Sequence, residues 1–323
     1  MKKIAIVVPA SSVLQAIADP QYCFEAVNMF LEQSGRAPIF NITLVAEYRD
    51  THLGGGSFTV HADRFLDDKT QYDLVIVPAL FGNMPDAVEK NRKLIPWIKD
   101  QYNNGAEVAS LCVGAFLLAA TGLVDGKKCS THWGFQDQFK DMFPEVDLQD
   151  GHIVTEEQGI YSSGGATSYW NLLLHLVEKY VDRETAIITS KYFAVDFHRQ
   201  SQSVFMLFKG QKTHGDDLII QAQQYIENNV SARLNVDEIS EKLALGRRSF
   251  ERRFRQATKN SVLEYIHRVK IEAAKKSFEN TKKGISEVMM DVGYNDLKAF
   301  RTTFRKITGL TPVDYRNRYN KMA

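Results

Sequence analysis

Cysteine is scarce in this chain: only Cys23, Cys112 and Cys129 occur among its 323 residues. Their spacing contains neither a CxxC pair nor a zinc-binding pattern, so we expect neither a disulfide framework nor a structural zinc site. We predict no metal and no cofactor. Reduced thiols of this kind indicate a cytoplasmic protein.

Long apolar runs are also missing. The apolar stretch at residues 4–8 is too short to cross a bilayer and leads directly into a predicted strand, so we expect neither a signal peptide nor a membrane partner. A composition of 44% hydrophobic and 24% charged residues is typical of a globular protein, and the length allows two or three domains.

A strong overall charge is the third absence, because the formal net charge is only +1. The charge is nevertheless unevenly distributed. Residues 216–323 contain 21 Lys and Arg against 14 Asp and Glu, a net charge of +7, whereas residues 1–215 contain 19 against 25, a net charge of −6. The basic third is therefore the part expected to bind nucleic acid.

The basic third contains one helical pattern twice, at residues 237–255 and 287–305. We expect the two copies to superimpose without a gap, with Phe250 and Phe254 of the first corresponding to Phe300 and Phe304 of the second. Each copy has two short helices with one apolar stripe each, joined by a tight turn, which predicts a helix-turn-helix motif twice.

The sequence also predicts a cap and a connecting helix around these motifs. Asp296 is predicted to be the N-cap of the last helix of the second copy. Apolar residues at helical spacing, including Val262, Ile266 and Val269, predict a longer connecting helix. Such a helix would space two readers for major-groove segments about 34 Å apart.

The second helix of each motif should present a polar face opposite its phenylalanines. Arginine can donate two hydrogen bonds to guanine and glutamate can accept one from cytosine, whereas the remaining cations suit phosphate. The alternative is a basic face that only contacts solvent. Because the basic residues recur at equivalent positions of both copies, we favour DNA contact. The predicted DNA-binding residues are Arg247, Arg248, Glu251, Arg252, Leu297, Lys298, Arg301, Thr302 and Arg305.

This segment resembles the DNA-binding domain of the AraC family of bacterial transcriptional regulators. The residues that carry the resemblance are Gly293-Tyr294, Phe300, Phe304-Arg305, Gly309, Thr311-Pro312 and Tyr315-Arg316. The resemblance implies base contacts by Arg248, Glu251 and Arg252 in the first motif and by Leu297, Lys298, Arg301 and Thr302 in the second. The family usually has Arg where this chain has Thr302. It also implies double-stranded DNA as a partner, a homodimer, and RNA polymerase as a possible further partner.

The first two hundred residues alternate short apolar runs with helical patterns. Strands are predicted at residues 4–8, 42–45, 74–77 and 107–111, and helices at residues 22–34, 87–103, 115–120 and 167–180. This order predicts a doubly wound α/β domain with a mostly parallel sheet, followed by the all-α domain with two helix-turn-helix motifs. Ligands of such a sheet bind at the carboxyl ends of its strands.

One of those carboxyl ends carries Cys112. A strand ending at Leu111, a sharp turn and then a helix would lift the thiol above the sheet at a helix N-terminus, where partial positive charge favours thiolate. The alternative is an inert core thiol. We expect the exposed arrangement.

The α/β part resembles the PfpI-type branch of the class I glutamine-amidotransferase-like superfamily, whose sheet is flavodoxin-like. The resemblance rests on residues 4–9, on 110–116, on Gly122-Leu-Val-Asp-Gly126, on Thr131-His-Trp133, on Ser163-Gly-Gly-Ala166 and on 175–178. Active relatives use a nucleophilic Cys at the position of Cys112. Peptidase-like members place a His where this chain has Val113, and the loop after the first strand offers no carboxylate before Asp19. The triad is therefore expected to be incomplete, with Cys112 and His132 as vestigial candidates.

Instead of a catalytic site we predict a pocket for an unknown small-molecule effector, which would be a small polar or anionic metabolite; slow oxidation of the thiol is the alternative use of this cleft. His132 is either a pocket residue or a structural one. The predicted pocket residues are Ser11, Gln15, Gly82, Cys112, Val113 and His132.

The predicted domains are a sensing domain at residues 1–208, a linker at 209–217 and a DNA-binding domain at 218–323. We expect a sequence-specific transcriptional regulator whose first domain senses an effector, dimerises, or does both. One alternative is a cysteine-dependent amidase-, peptidase- or hydratase-like enzyme fused to a DNA-binding domain. Another is an architectural DNA-binding protein whose first domain only dimerises.

Overall fold

The computed structural model describes residues 1–197, 201–212 and 214–320. Its contacts divide the chain into two compact units, Met1–Gln202 and Ser203–Ala323. Residues 203–208, assigned above to the first domain, and the expected linker at 209–217 thus belong by contact to the second unit.

The first unit is built on a twisted sheet. Its described strands are β1 (Lys2–Val7), β2 (Phe40–Ala46), β3 (Asp50–Leu53), β4 (Phe58–His61), β5 (Arg64–Phe65), β6 (Leu74–Val77), β7 (Glu107–Leu111), β8 (Lys128–Cys129), β9 (Asp147–Leu148), β10 (Val154–Glu157) and β11 (Ile160–Ser163). The main sheet has the described order β10-β11-β7-β6-β1-β2-β5, and all its pairs are parallel except β10 with β11. β3 pairs with β4, and β8 with β9, outside it.

Helices cover both faces of this sheet. They are α1 (Gln15–Gln33), α2 (Met84–Lys90), α3 (Leu94–Asn103), α4 (Ala115–Ala120), α5 (Gln136–Met142), α6 (Tyr169–Tyr180) and α7 (Arg183–Tyr192). The central strands are apolar along their whole length because both faces are buried, and Ile4, Val75 and Val108 are each 0% exposed. The doubly wound, mostly parallel fold predicted from the sequence is confirmed.

The helix predicted at residues 87–103 is two helices, which is a correction. Pro96 is the third residue of α3, a position where the missing N–H would have no helical partner in any case, so a new helix begins just before it. The break places Asn91 against the loop after β1. Its Oδ1 accepts from the Ala10 N–H at 2.7 Å, and its Nδ2 donates to Ser11 Oγ at 3.0 Å.

The second unit is helical in its described part. The helices are α8 (Asp217–Asn228), α9 (Val236–Lys242), α10 (Arg247–Thr258), α11 (Val262–Asn280), α12 (Ile285–Asp291), α13 (Leu297–Thr308) and α14 (Pro312–Tyr319). α9 with α10 and α12 with α13 form the two helix-turn-helix motifs. α11 joins them and begins with a capping box between Ser261 and Glu264.

Each motif has its own apolar core. Phe250 and Phe254 belong to the first core and Phe300 and Phe304 to the second, and all four are 0% exposed. α11 contributes to both cores, which is why it holds the motifs in one unit.

The two motifs do not superimpose without a gap, contrary to the prediction. Leu245 N–H bonds to the Ser240 carbonyl in the first turn, as Tyr294 N–H bonds to that of Met289 in the second, which is an offset of 49 residues. The helices after the turns begin at Arg247 and Leu297, which is an offset of 50. The second turn is therefore one residue longer.

Candidate nucleic-acid interface and ligand cleft

α10 presents a basic face opposite its buried phenylalanines. Phe250 and Phe254 point into the first core, whereas Arg248 and Arg252 are exposed. Residues four apart lie on the same side of a helix, so these two arginines are neighbours. No ion pair within the described residues holds either of them, and both are therefore available to an anionic partner.

Two predicted contacts on α10 are already occupied. Arg247 Nη1 donates to both carboxylate oxygens of Asp237, at 2.9 and 2.8 Å, and Arg247 Nε donates to Glu251 Oε1 at 3.2 Å. Asp237 lies in the first turn of α9. A partner that uses Arg247 or Glu251 must first compete with this network.

α13 repeats the arrangement of α10. Its N-terminus is capped by Asp296, whose side chain accepts from the Ala299 N–H at 2.7 Å, as predicted. Its exposed residues include Lys298, Arg301, Thr302 and Arg305.

Leu297 differs from the rest of the predicted α13 set. It is the first residue of the helix and is only partly exposed, because it packs against the second core. Part of its apolar surface is therefore already used in packing within the motif.

α10 and α13 thus each present a basic face, at equivalent positions of the two motifs. Within the described residues no ion pair neutralises five of the predicted cations, and this availability suits guanine edges and phosphate oxygens. These cations are Arg248, Arg252, Lys298, Arg301 and Arg305.

The strand-to-helix turn predicted at Cys112 is present. Cys112 follows β7 with φ of 54°, opens a short 3₁₀ turn at Cys112–Gly114, and α4 begins at Ala115. Only glycine fits at residue 114, because an added Cβ would lie 2.5 Å from the Pro78 carbonyl oxygen and 2.6 Å from that of Val77.

The expected exposure and activation of the Cys112 thiol are wrong. Cys112 is 5% exposed, and burial raises the pKa of its thiol to about 12 despite an opposing hydrogen bond to the backbone of Val113. The loss of hydration destabilises the thiolate more than the nearby helix N-terminus stabilises it. Cys112 is thus mainly a packed thiol.

The His132 side chain stabilises the loop on which it lies. Its Nδ1 accepts from the Gly134 N–H at 3.0 Å, and the ring stacks on Trp133 with centroids 5.3 Å apart. Burial lowers the pKa of His132, which favours the neutral ring. The preceding Thr131 donates through Oγ1 to the Cys112 carbonyl at 3.2 Å, so this loop is joined to the turn after β7.

Of the remaining predicted pocket residues, Ser11 lies on the loop after β1, Gln15 begins α1, Gly82 lies on the loop after β6, and Val113 lies in the short turn before α4. The Phe81 N–H donates to the Ser11 carbonyl at 2.6 Å, which joins the first two loops. Gln15 and Gly82 are exposed, whereas Val113 is 5% exposed. The set therefore contains both accessible and buried members.

A cavity of about 430 Å³ lies beside the carboxyl ends of β1 and β2. Asn91, which bonds to Ser11, forms part of its wall. Its charged lining consists of Glu47, Glu89, Lys90, Arg92 and Lys93. This volume and polarity suit a small polar molecule.

Comparison with known proteins agrees with both halves of this description. Residues 239–318 match a family model described as a helix-turn-helix domain, and residues 38–192 match the DJ-1/PfpI family. The HTH-type transcriptional regulator GbdR of Pseudomonas aeruginosa is 24% identical over 293 residues, which cover 90% of this chain and 78% of GbdR. This chain is an AraC-type transcriptional regulator with a DJ-1/PfpI domain.

Further relatives of this AraC-type regulator support the same family. The HTH-type transcriptional regulator ArgR of P. aeruginosa is 26% identical over 221 residues, which cover 68% of this chain and 67% of ArgR. A crystal structure of an AraC family transcriptional regulator from Pseudomonas putida has a TM-score of 0.50 at 16% identity, covering 60% of this chain and 100% of that one. A THiJ/PfpI family protein from Pseudomonas syringae gives 0.51 at 17% identity, covering 60% and 75%. The two structural likenesses show the fold.

Sequence reasoning missed Gln202 of the regulator. This residue is 1% exposed; its Nε2 donates to the Thr131 carbonyl at 3.1 Å and to the His152 carbonyl at 2.8 Å, and its Oε1 accepts from the Trp133 N–H at 3.2 Å. It therefore fixes the Thr131–Trp133 loop on both sides of His132. Nothing in the local sequence pattern marks a glutamine for this role.

Sequence reasoning also missed the contact between Tyr169 and Asp19. Tyr169 is 2% exposed and donates to Asp19 Oδ2 at 2.7 Å. Burial, then Asp19 and then the nearby Cys112 raise the pKa of Tyr169, so this tyrosine lies close to the turn after β7. Asp19 Oδ2 also accepts from Trp170 Nε1 at 2.9 Å, so this carboxylate holds the start of α6.

Two kinds of site are not found in the part of the regulator that the structure describes. No group of three or more His, Cys, Asp or Glu side chains there could hold a metal ion. Among the same residues, no helix combines the length and apolar character that crossing a membrane requires.

Proposed function

We propose that α10 and α13 each read base edges in one of two major-groove segments about one helical turn apart. The observation that carries this proposal is the repeated basic face, opposite phenylalanine pairs that are 0% exposed. Arg252 and Arg301 are the proposed readers of guanine, and Arg305 a proposed phosphate contact. The proposed contact set also includes Arg248, Lys298 and Thr302. Three further residues belong to it only through the part of their surface that ion pairs or core packing leave accessible: Arg247, Glu251 and Leu297.

Selection of random duplexes with the full-length protein tests this proposal. The expected result is a bipartite motif with half-sites about one turn apart. Arg252→Ala should weaken binding to that site by about 1–3 kcal/mol and relax preference at one base pair. Lys99→Ala, an exposed cation on α3 of the first unit, is the control and should leave binding unchanged. Equal losses on the selected site and on random DNA would show that Arg252 is not a reader.

We propose that the first domain senses a small polar metabolite at the carboxyl edge of its sheet. The cavity of about 430 Å³ and its link through Asn91 to Ser11 support this site. Gln15 at the start of α1 and Gly82 on the loop after β6 are accessible, whereas the buried Cys112 and Val113 and the partly buried His132 would respond through packing.

The signal is proposed to leave the first domain through Gln202. Its side chain holds the Thr131–Trp133 loop, and Ser203, the first residue of the second unit, is its neighbour in the chain. A ligand that shifts this loop therefore shifts the start of the connection to the DNA-binding domain. Coupling of this kind requires that the ligand bind one arrangement better than the other.

Pooled metabolites that change affinity for the selected site would identify the effector, and two variants then locate its action. Tyr48→Ala, in the cavity wall, should weaken effector binding, whereas Phe58→Ala, an exposed aromatic outside the wall, should not. Gln202→Ala should keep effector binding but lose the change in DNA affinity. Retained coupling in Gln202→Ala would rule out this route.

We propose that the first domain is not a catalyst. A thiol whose pKa is about 12 is a poor nucleophile, and the neutral His132 ring, accepting through Nδ1, carries its proton on Nε2 and so presents a donor there. The competing proposal of a cysteine-dependent enzyme requires turnover of an amide, peptide or isocyanide that Cys112→Ala abolishes. Turnover of that kind would overturn our proposal.

We further propose that the regulator is a cytoplasmic homodimer. The free cysteines Cys23, Cys112 and Cys129 suit a reducing compartment, and Tyr22 and Tyr192 form an exposed aromatic contact between α1 and α7 that a second copy could cover. Sedimentation should give a dimer that Tyr192→Glu dissociates. RNA polymerase is the proposed partner for activation, which transcription in vitro with and without the regulator would test.

A further inference from the structure

α11 carries a lysine where the two apolar cores meet. Val269 belongs to the first core and Ile271 to the second, and Lys270 between them is 5% exposed. Burying an ammonium group is costly unless its hydrogens are all satisfied. The position therefore requires partners of a particular kind.

The partners of Lys270 come from the loop that precedes the first helix-turn-helix motif and from the second motif. Its Nζ donates to the Val230 carbonyl at 2.8 Å, to the Ala232 carbonyl at 2.9 Å and to the Val292 carbonyl at 2.8 Å. Val230 and Ala232 lie in the loop that leads into α9, whereas Val292 is the C-cap of α12. One ammonium group uses its three hydrogens to join the loop that enters the first motif to the end of the first helix of the second motif.

The surrounding backbone leaves little room for this junction to shift. Gly293 has φ of 71°, and an added Cβ would lie 2.5 Å from both Lys270 Nζ and the Ser231 carbonyl oxygen. The turn of the second motif thus lies directly against the loop of the first. His267 of α11 holds the same turn, because its Nδ1 lies 2.6 Å from the hydroxyl oxygen of Tyr294.

We propose that Lys270 sets the distance and angle between α10 and α13, and thereby the spacing of the two half-sites that the regulator accepts. This inference rests on the proposed two-reader function. Adding one base pair moves a half-site by about 3.4 Å and rotates it by about 35°. A rigid junction cannot follow such a change, whereas a loosened one can. Lys270 is a positioning residue, since it contacts backbone and not DNA.

The test measures full-length protein on duplexes that carry the selected half-sites at the preferred spacing and at spacings one and two base pairs longer or shorter. Lys270→Met removes the donors, Lys270→Arg keeps a cation, and Lys276→Met changes an exposed lysine on the same helix as a control. An isolated first half-site serves as the folding check.

We expect the unaltered protein and Lys276→Met to lose about tenfold in affinity for one base pair of wrong spacing. For Lys270→Met, one base pair of wrong spacing should lower the affinity by about threefold or less. The same variant should bind the isolated half-site within about twofold of the unaltered protein. Lys270→Arg should restore most of the discrimination. If Lys270→Met does not bind the isolated half-site, Lys270→Gln, which retains a donor, takes its place in the same series.

An unchanged spacing profile in the folded variant would overturn the proposal, as would an equal loss at every spacing. If the unaltered protein shows no preferred spacing, the two-reader function itself fails and this inference fails with it. A preferred spacing that survives the Lys270 variants overturns only the role of Lys270.

Discussion

Asp237→Asn should increase the affinity of this regulator for DNA, although it removes an ion pair. In the free protein the Asp237 carboxylate accepts two hydrogen bonds from Arg247 Nη1, and Glu251 accepts one from Arg247 Nε. Asparagine weakens the first attachment and leaves Arg247 freer to turn toward a phosphate. The substitution thus separates stability from DNA binding.

The magnitudes follow from the exposure of the pair. The side chains of Arg247 and Asp237 are 55% and 48% exposed, so their interaction contributes no more than about 1 kcal/mol. Asp237 also lies in the first turn of α9, where a carboxylate adds about 0.3–1 kcal/mol. The variant should therefore lose up to about 2 kcal/mol of stability. Its DNA affinity should rise about two- to fivefold, because competition for Arg247 is reduced.

The assay is binding to the selected site over a range of salt concentrations. One added phosphate contact should steepen the salt dependence by about one unit. Glu238→Gln is the matched control: it removes the same charge from the same helical turn, and no ion pair within the described residues joins Glu238 to Arg247.

Any general effect of charge on DNA binding is shared by the two variants. Equal changes of affinity and salt slope in Asp237→Asn and Glu238→Gln, or weaker binding by Asp237→Asn than by the unaltered protein, would show that the ion pair does not restrain Arg247. A unique gain by Asp237→Asn identifies Arg247 as a contact that its ion pair restrains.

Three further outcomes are expected in the first unit. Gly114→Ala should destabilise it by about 2 kcal/mol or more, seen as a lower denaturation midpoint, because the new Cβ would lie 2.5 Å from the Pro78 carbonyl oxygen. At pH 8 the buried Cys112, whose thiol has a pKa of about 12, should react with iodoacetamide at less than about one-hundredth of the rate of a free thiol, and rapid labelling of the folded protein would contradict this. Hydrogen bonds from Thr185 and an ion pair lower the pKa of Asp182 to about 2, so its stabilising contribution is complete above about pH 4 and is lost as the pH falls toward 2. Asp182→Asn should flatten that acid limb, and an unaltered limb would exclude the contribution.

The helical half of the regulator was largely readable in its sequence, because local patterns determine it. The spacing of Phe250 with Phe254 and of Phe300 with Phe304 identified the buried sides of α10 and α13, and Asp296 was identified as a cap. The extra residue in the second turn was not predicted, since the repeat was aligned on the phenylalanines of α10 and α13, which are 50 residues apart, whereas α9 and α12 begin 49 residues apart.

In the α/β half, apolar runs predicted β1, β2, β6 and β7, whereas β10 and β11 were missed although each is as long as β6. The break before α3 could have been found, because Pro96 requires a helix start close to it. The ion pair of Arg247 with Asp237 could not, since it joins two helices whose relative placement depends on the packed core.

The sequence by itself determined the two-part organisation, the doubly wound sheet, the repeated helix-turn-helix motifs and the turn at Cys112. These depend on periodicity, caps and turns, which act between near neighbours in the chain. Only the tertiary structure decided that Cys112 is packed as a neutral thiol, that Gln202 fixes the Thr131–Trp133 loop, and that Lys270 joins the two motifs. Burial and hydrogen-bond partners depend on residues distant in sequence, and removal from water determines whether a polar group is charged, paired or inert.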